Sequence, residues 1–463
     1  MIAAPLAGCG TLGLVDVAPP PPPVVPGEWN RPAPVLAADV ERYWTLLDDP
    51  ALTFFVARAI EENLELDAAA ARVRLAAAGV RQARAGYLPR VDASAGVRRD
   101  FGDFSSDEFE PSLGVDARWE ADLFGRVRLD VAASRAELAA AGFAAADLQR
   151  LIVGQVARTT VSARALAVQL AIARDTLVNQ DENLQIAEWR LQAGLVSSLD
   201  VEQARTQRAQ TAATIPALER DLEIAAHAIS VLVGEPPGYA LDLLLAEPEG
   251  IPVPPATVGY AVPAEVLRRR PDIRRAEALV LADTARIGLA RTQLLPLVQL
   301  TGTIGTASVG FRDLFGIITG GLFAGVSQLI FDGGRAAAQI DAAEAAADAS
   351  LAEWRRNVLF ALEDVENAAV SLDAARARIE FFEDALTAAE NAALFARSQY
   401  QAGLIDFQRL LTAENQLLSS RNSLAAARAE RADAFVRLTQ ALGGGWDYEG
   451  LAGEPESTGE EAG

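Results

Sequence analysis

Residues 335–402 read RAAAQIDAAEAAADASLAEWRRNVLFALEDVENAAVSLDAARARIEFFEDALTAAENAALFARSQYQA, 68 positions without glycine or proline. At a rise of about 1.5 Å per residue, this run predicts a helix of about 100 Å. Its apolar residues keep a heptad. Leu351, Val358, Val365, Leu372, Ile379, Leu386, Ala393 and Tyr400 occupy one position, and Trp354, Ala361, Ala368, Ala375, Phe382, Ala389 and Ala396 the other. A period of about 3.5 held this long means coiled-coil packing, and the alanines let neighbouring helices approach closely. After Gly403, Leu404 to Leu442 adds 39 more residues of helical character, and Ala264 to Gln293 adds 30 upstream. Two shorter helices stacked end to end beside one long helix account for these lengths.

The same parts occur twice. Leu88-Pro89 matches Leu295-Pro296, Arg84 matches Arg291, and Leu123-Phe124 matches Ile330-Phe331, all at a shift of 207. The second copy then inserts two residues, running Asp332-Gly333-Gly334-Arg335 where the first has Gly125-Arg126. Thereafter the shift is 209, pairing Gln192-Ala193-Gly194-Leu195 with Gln401-Ala402-Gly403-Leu404 and Gly234 with Gly443. A register kept through an insertion is the mark of an internal duplication. The first unit's long helix is Arg126 to Ala193, with Ala51–Ala85 and Val196–Val233 as its short pair. Five segments follow: a tether at 1–43, a first repeat at 44–238, a Pro-rich linker at 239–263, a second repeat at 264–446 and an acidic tail at 447–463. Seven prolines between Pro236 and Pro263 predict irregular structure there.

Between short and long helices the period changes to two. Val91, Ala93, Ala95 and Val97 alternate with Asp92, Ser94, Gly96 and Arg98. Leu113, Val115, Ala117, Trp119, Ala121 and Leu123 alternate with Ser112, Gly114, Asp116, Arg118, Glu120 and Asp122. One apolar and one charged face describe a strand between lipid and a wet interior, and equally a soluble hairpin packed on one side. In the second unit Val298, Leu300 and Ile304 alternate less cleanly with Gln299, Thr301 and Thr303. Leu314 to Phe331 lacks charge over 18 residues, the length of a short membrane helix, yet its four glycines favour a Gly-rich loop and strand. Each unit thus supplies one hairpin, four strands per chain. Four strands cannot close a barrel, and an open edge in lipid leaves backbone groups unpaired. If these strands span a membrane, the chain must oligomerise.

Composition removes other functions. All 41 basic residues are Arg, with one His and one Cys, so a P-loop lysine, a Schiff-base lysine, an HExxH zinc pair and an intrachain disulfide are all impossible. A net charge of −22 argues against nucleic acid as a partner. No cofactor or metal motif is visible, and no catalytic constellation assembles, so an enzyme is not expected. His227 lies in an Ala- and Ile-rich helical stretch and reads as an ordinary helix residue. At the N-terminus, Leu6-Ala7-Gly8-Cys9 matches the lipobox at which bacterial lipoproteins are cleaved and acylated on cysteine, against the alternative of an inert thiol. Only Met1 to Gly8 precede it, too few for a basic n-region and an apolar stretch, so the natural start is expected further upstream. Pro19–Pro23 and Pro26 then read as an extended spacer.

Four motifs, Asp122-Leu123-Phe124-Gly125-Arg126, Arg270-Pro271-Asp272-Ile273-Arg274, Ile330-Phe331-Asp332-Gly333-Gly334-Arg335 and Ala441-Leu442-Gly443-Gly444-Gly445-Trp446, resemble those of the TolC-type outer-membrane efflux factors. The lipoprotein branch, which works with resistance–nodulation–division pumps, is the nearest match, and the resemblance covers about Trp44 to Trp446. It implies a mainly α fold with a small β part. A homotrimer would close a twelve-stranded barrel in outer-membrane lipid, continued by an α-helical barrel through the periplasm.

The resemblance also implies that Gly194-Leu195-Val196-Ser197 and Gly403-Leu404-Ile405-Asp406 form the periplasmic tips that meet an adaptor (membrane fusion) protein. Glycine suits a helix-ending turn, and Ser197 and Asp406 suit the following N-caps, leaving Leu195 and Leu404 exposed; plain helix punctuation would look the same. The family's gate stretch is replaced here by Leu411-Thr412-Ala413-Glu414-Asn415, so both of its charged positions differ. Asp200 retains the expected acid in the first unit, and Tyr400 matches the family's aromatic. Asp200, Glu202, Asp406 and Glu414 would form acidic rings by three-fold repetition, or else a solvated coiled-coil face. The implied function is a passive outer-membrane duct for small molecules such as drugs or metals, opened by an adaptor and an inner-membrane pump of the resistance–nodulation–division type. The alternatives are a duct for type I protein secretion and a periplasmic coiled-coil protein without a pore.

Overall fold

A computed structural model of the chain describes residues 24–30, 40–99, 101, 108–246, 250–255, 261–308 and 311–447. Cys9, Pro19–Pro23 and the tail beyond Asp447 lie outside the described residues, so the lipobox, spacer and tail readings rest on sequence. The helices are α1 (Pro50–Glu62), α2 (Leu64–Ala85), α3 (Arg126–Gln192), α4 (Ser198–Leu232), α5 (Tyr239–Ala246), α6 (Pro263–Arg269), α7 (Pro271–Thr292), α8 (Arg335–Gln401) and α9 (Phe407–Ala441). The strands are β1 (Arg90–Arg98), β2 (Glu110–Ala121), β3 (Leu297–Ala307) and β4 (Ile318–Ser327). Along α8 every heptad residue from Leu351 to Tyr400 is buried or half-buried. No helix among the described residues is long and apolar enough to cross a membrane, and the uncharged stretch before Phe331 forms β4.

The chain divides into two compact units. One takes Ala71–Phe143 and Arg274–Asn357; the other takes the described residues of Val24–Ala70, Ala144–Ile273 and Val358–Gly463. The first holds a single antiparallel sheet, in the order β1-β2-β3-β4, together with helix segments. Those segments are tied by Arg286 to Glu137 and Asp283, by Arg291 to Glu344 at 2.7 Å, and by the small cluster Ala83, Val127 and Val131.

The second unit is helical around a core that includes Tyr43, Leu47, Phe55, Val156, Ile229, Phe435 and Leu438. Within it sits a dry ion pair. Arg164, 1% exposed, places Nε 2.9 Å from Oδ2 of Asp49 and Nη2 3.2 Å from its Oδ1, and donates from Nη1 to the Leu244 carbonyl. Asp49 also caps α1 by accepting from the Leu52 N–H. One planar guanidinium thereby fixes α1 and α5 to α3, a task that suits the rigid fork of arginine.

Two expectations need correction. The runs Ala51–Ala85 and Ala264–Gln293 are each two helices, broken at Asn63 and Arg270, positions 207 apart. Pro271 forces the second break, because its ring pushes the preceding residue into extended backbone (Arg270 φ −73°, ψ 119°). Asn63 makes the first by capping α2, its Oδ1 accepting from the N–H groups of Glu65 and Leu66. The Pro-rich linker, expected to be irregular, opens with α5, whose Ala240 and Leu244 bury one face and whose first turn donates to the Ser230 hydroxyl.

Two motifs acquire a structural meaning here. Arg270 chelates Asp272 with contacts of 3.1 and 2.6 Å, reaches Asp364 at 3.1 Å and donates to the Ala441 carbonyl. Burial alone would raise the Asp272 carboxyl, but the Arg270 guanidinium overrides it and holds it below the usual carboxylate range. At the end of α9, a Cβ on Gly444 would stand 2.1 Å from the Val40 carbonyl oxygen, so only glycine fits that approach.

Candidate functional site

The sheet sets a mainly apolar face against a mainly polar one, with Phe323 on the polar side. Register pairs Val91 with Ala117, Ala93 with Val115 and Ala95 with Leu113, and continues through Gly302, Ile304 and Thr306 to Leu322, Gly320 and Ile318. Among the described residues nothing covers this apolar face: Leu322 is 86% exposed, Val326 72% and Val91 62%. The opposite face carries Arg90, Asp92, Ser94, Asp116, Arg118, Glu120, Gln299, Thr301 and Thr303. Among the described residues the outer strands, β1 and β4, each pair on one side only. An apolar surface this continuous, on a sheet with open edges, is not a stable end state in water.

In the helical unit, the two turns are built alike. Gly194 (φ 72°) and Gly403 (φ 73°) occupy the left-handed region. Gly194 N–H donates to the Leu191 carbonyl and Leu195 N–H to that of Arg190; Gly403 and Leu404 repeat this with Tyr400 and Gln399. These paired bonds satisfy the last carbonyls of each long helix, the pattern known as a Schellman motif. The next helix starts at once. Ser197 and Asp200 exchange hydrogen bonds as a capping box, and the Asp406 carboxylate accepts from Arg409 N–H at 2.9 Å. Leu195 (68%) and Leu404 (76%) are exposed, while Val196 and Ile405 are half-buried.

The other site residues each have an intrachain occupation. Glu202 pairs with Arg205 at 3.1 Å, and Glu414, buried, with Arg397 at 2.9 Å. Asp200 and Asp406 serve as caps. Thr412 donates back to the Gln408 carbonyl, and Asn415 Nδ2 reaches Gln207 Oε1 at 3.5 Å. Tyr400 packs edge-on against Phe407 beneath the second turn. Burial raises its phenol above the ordinary value, with Arg190 acting in the opposite direction.

Arg190 escaped the sequence reading. It extends from the end of α3 to the second turn, donating to the Tyr400 carbonyl at 2.6 Å with its guanidinium 4.6 Å from the ring centroid. Nothing in its own helix announces this, because its target lies 210 residues away.

Residues 55–235 and 262–444 match the outer membrane efflux protein family. The chain belongs to that family. Nodulation protein T of Rhizobium leguminosarum bv. trifolii is 31% identical over 422 residues, covering 89% of this chain and 90% of the relative. The pyoverdine export outer membrane protein OpmQ of Pseudomonas aeruginosa is 30% identical over 430 residues, covering 90% of both. Among solved structures, the outer-membrane channel OprN aligns with a TM-score of 0.81 at 32% identity, over 88% of this chain and 93% of that one. The resemblance drawn from the four motifs therefore holds: the fold is mainly helical with a small sheet, and the protein is an outer-membrane efflux channel of the TolC type.

Proposed function

We propose that three copies of the chain assemble into one passive duct. Its helix turns would receive a periplasmic adaptor, and an inner-membrane pump of the resistance–nodulation–division type would supply the energy. Three copies of four strands give the twelve strands of one closed barrel, with the open edge of β4 in each copy pairing with β1 of the next. The observation that carries this reading is the sheet itself: an apolar face running across all four strands, an opposite polar face whose charges sit on β1 and β2, and outer strands that each pair on one side only among the described residues. In hydrocarbon, unpaired backbone groups cost several kcal/mol each, which oligomerisation removes. Small molecules would pass along the charged face, and acylation at Cys9 would add a lipid anchor. Protein purified in mild detergent should run as a trimer and give channel events in planar bilayers. A monomer with protease-accessible strands and no conductance would sink the proposal.

The exposed Leu195 and Leu404, each at a rigid Schellman turn, support adaptor docking at the tips. Charged substitution at the second tip, Leu404→Glu, should weaken adaptor capture about tenfold, equivalent to about 1.4 kcal/mol, while trimers stay intact. Unchanged capture by intact trimers would reduce the turns to helix punctuation.

A further inference from the structure

On the charged face of the sheet, like stands opposite like near the strand ends that meet the helices, while Arg98 stands opposite Glu110 at the far end. Arg90 is directly across from Arg118, and Asp92 directly across from Asp116. Facing like charges destabilise an antiparallel pair. The chain had an easy remedy. Shifting β1 against β2 by two residues would keep the apolar face intact and set Arg90 against Glu120 and Asp92 against Arg118, two opposite-charge pairs gained for the one lost where Arg98 now faces Glu110. The observed register instead sorts charge into levels across the sheet. Arg90 and Arg118 continue into Thr301 and Phe323, and Asp92 and Asp116 into Thr303 and Gly321. The next level, Ser94, Gly114, Gly305 and Thr319, is small and uncharged. A Cβ on Gly114 would stand 3.2 Å from the Ser94 hydroxyl, which places both positions on this face.

We infer that these levels form a double electrostatic collar inside the barrel, a ring of arginines followed by a ring of aspartates, which sorts permeating solutes by charge. The inference rests on the proposed closed barrel, in which three copies present six side chains at each level. The arginine ring lies nearer the strand ends that meet the helices, because Arg90 begins β1 and Arg118 is near the end of β2. The aspartate ring borders the small neutral level, so a solute in that wider zone meets carboxylates first. Arg90 Nε touches Asp92 at 3.0 Å, but the pair is exposed (81% and 49%) and such contacts are weak in water. Levels two residues apart lie about 6.7 Å from each other, within one Debye length at physiological salt, so each ring shapes the potential at the next. Rings of acidic side chains favour cations and rings of basic ones favour anions. Small organic cations should therefore concentrate at the Asp92/Asp116 level and anions at the Arg90/Arg118 level.

Local thiol chemistry reads this potential directly. The sequence has a single cysteine, Cys9, so the parent chain defines the labelling background. In assembled full-length protein, S94C should react about fivefold faster with a cationic methanethiosulfonate than with an anionic one, after correction for their rates with a free thiol. Adding D92N/D116N should bring that ratio close to one, and adding R90Q/R118Q should raise it. A93C, on the apolar face, should be protected from both reagents. A ratio that does not fall on removing the aspartates, or does not rise on removing the arginines, overturns the collar while leaving the channel intact. Equal labelling of A93C and S94C would instead show that the sheet does not divide lipid from water, and would bring down the barrel beneath it. Should D92N/D116N fail to assemble, the R90Q/R118Q arm decides alone, since it must move the ratio in the opposite direction.

Discussion

In the first repeat, Arg174 and Glu188 of α3 face Glu219 and Arg205 of α4, at 2.7 and 2.9 Å. In the second, the residues 209 positions later are Glu383 and Arg397 of α8, facing Arg428 and Glu414 of α9, at 3.0 and 2.9 Å. The duplication has kept both ion pairs and reversed the sign of all four partners. What persists is the pairing of opposite charges; which helix carries which sign is free to change. The reversal also has a use. Two similar coiled coils in one chain can exchange partners during folding. At these levels α3 beside α9 would set Arg174 against Arg428 and Glu188 against Glu414. Pairing α8 with α4 would set Glu383 against Glu219 and Arg397 against Arg205. Each correct pair is worth only a fraction of a kcal/mol when exposed, but every wrong pair is repulsive.

The halves differ more in burial than in charge. Under the second turn, Tyr400, Phe407 and Leu410 are buried with Ala204. The equivalents of Tyr400 and Phe407 in the first repeat, Leu191 (37%) and Ser198, are exposed, and only that of Leu410, Val201, is buried. The second turn is therefore the packed one, and truncation should expose the asymmetry most strongly. Tyr400→Ala removes a fully packed ring and its contact with Arg190, and should cost about 3 kcal/mol of local stability. Leu191→Ala should cost a few tenths, about the usual size for an exposed site. Amide exchange across 396–411 and 187–202 would measure both, and comparable losses at the two turns would refute the asymmetry.

The reversed ion pairs give a finer test. Glu414 is 9% exposed with its partner at 37%, whereas Glu188 and Arg205 are 40% and 53% exposed. Arg397→Ala leaves a largely buried carboxylate without its partner and should cost about 1–2 kcal/mol, discounted from a fully buried pair. Arg205→Ala should cost less than about 0.5 kcal/mol. The double exchange R397E/E414R recreates the polarity of the first repeat and should recover most of the loss. If the exchange is no better than the single variant, the coupling between partners is absent.

Much of this fold could be read before any coordinates. A 68-residue run with an unbroken heptad admits one interpretation, and a shift that changes from 207 to 209 at a two-residue insertion identifies the duplication. The turns were legible because glycine, then an apolar residue, then Ser197 or Asp406 constitutes a chemical stop and start. The break at Arg270 was missed, although Pro271 signals it by pushing the preceding residue into extended backbone. Asn63 gives a weaker signal because asparagine is tolerated within helices. Arg164–Asp49 and Arg190–Tyr400 could not be read, as their partners lie 115 and 210 residues apart and nothing local selects them. The levels of like charge required the strand register. Alternation assigns residues to a face but does not say which residue stands opposite which.

The junctions from strand to long helix show the same task performed from different sequence positions. In the first repeat Asp122 precedes Leu123-Phe124 and accepts from the N–H groups of Val127 and Arg128, both at 3.1 Å. In the second, Asp332 follows Ile330-Phe331, and Gly333 and Gly334, both with positive φ, turn the chain so that it accepts from Gly334 at 3.0 Å and Ala336 at 2.8 Å. The Ala336 N–H, with lesser help from Gly334 and Arg335, holds the Asp332 carboxyl below its ordinary value. A carboxyl depressed in the folded chain stabilises it fully above the unfolded value, about 3.9, and loses that contribution as pH falls through the folded value. The first turn of α8 should thus be insensitive to pH from neutrality down to about 4 and fray below that. Asp332→Asn keeps one acceptor but loses the charge, so amides 334–338 should exchange faster at neutral pH and show a flatter acid response. Exchange measured from neutral pH down to pH 3 and corrected for intrinsic rates would check this; undiminished acid sensitivity in the variant would assign the response to another group. The effect should be the smallest of those compared here, because Asp332 is only half-buried and water replaces much of what its protonation removes.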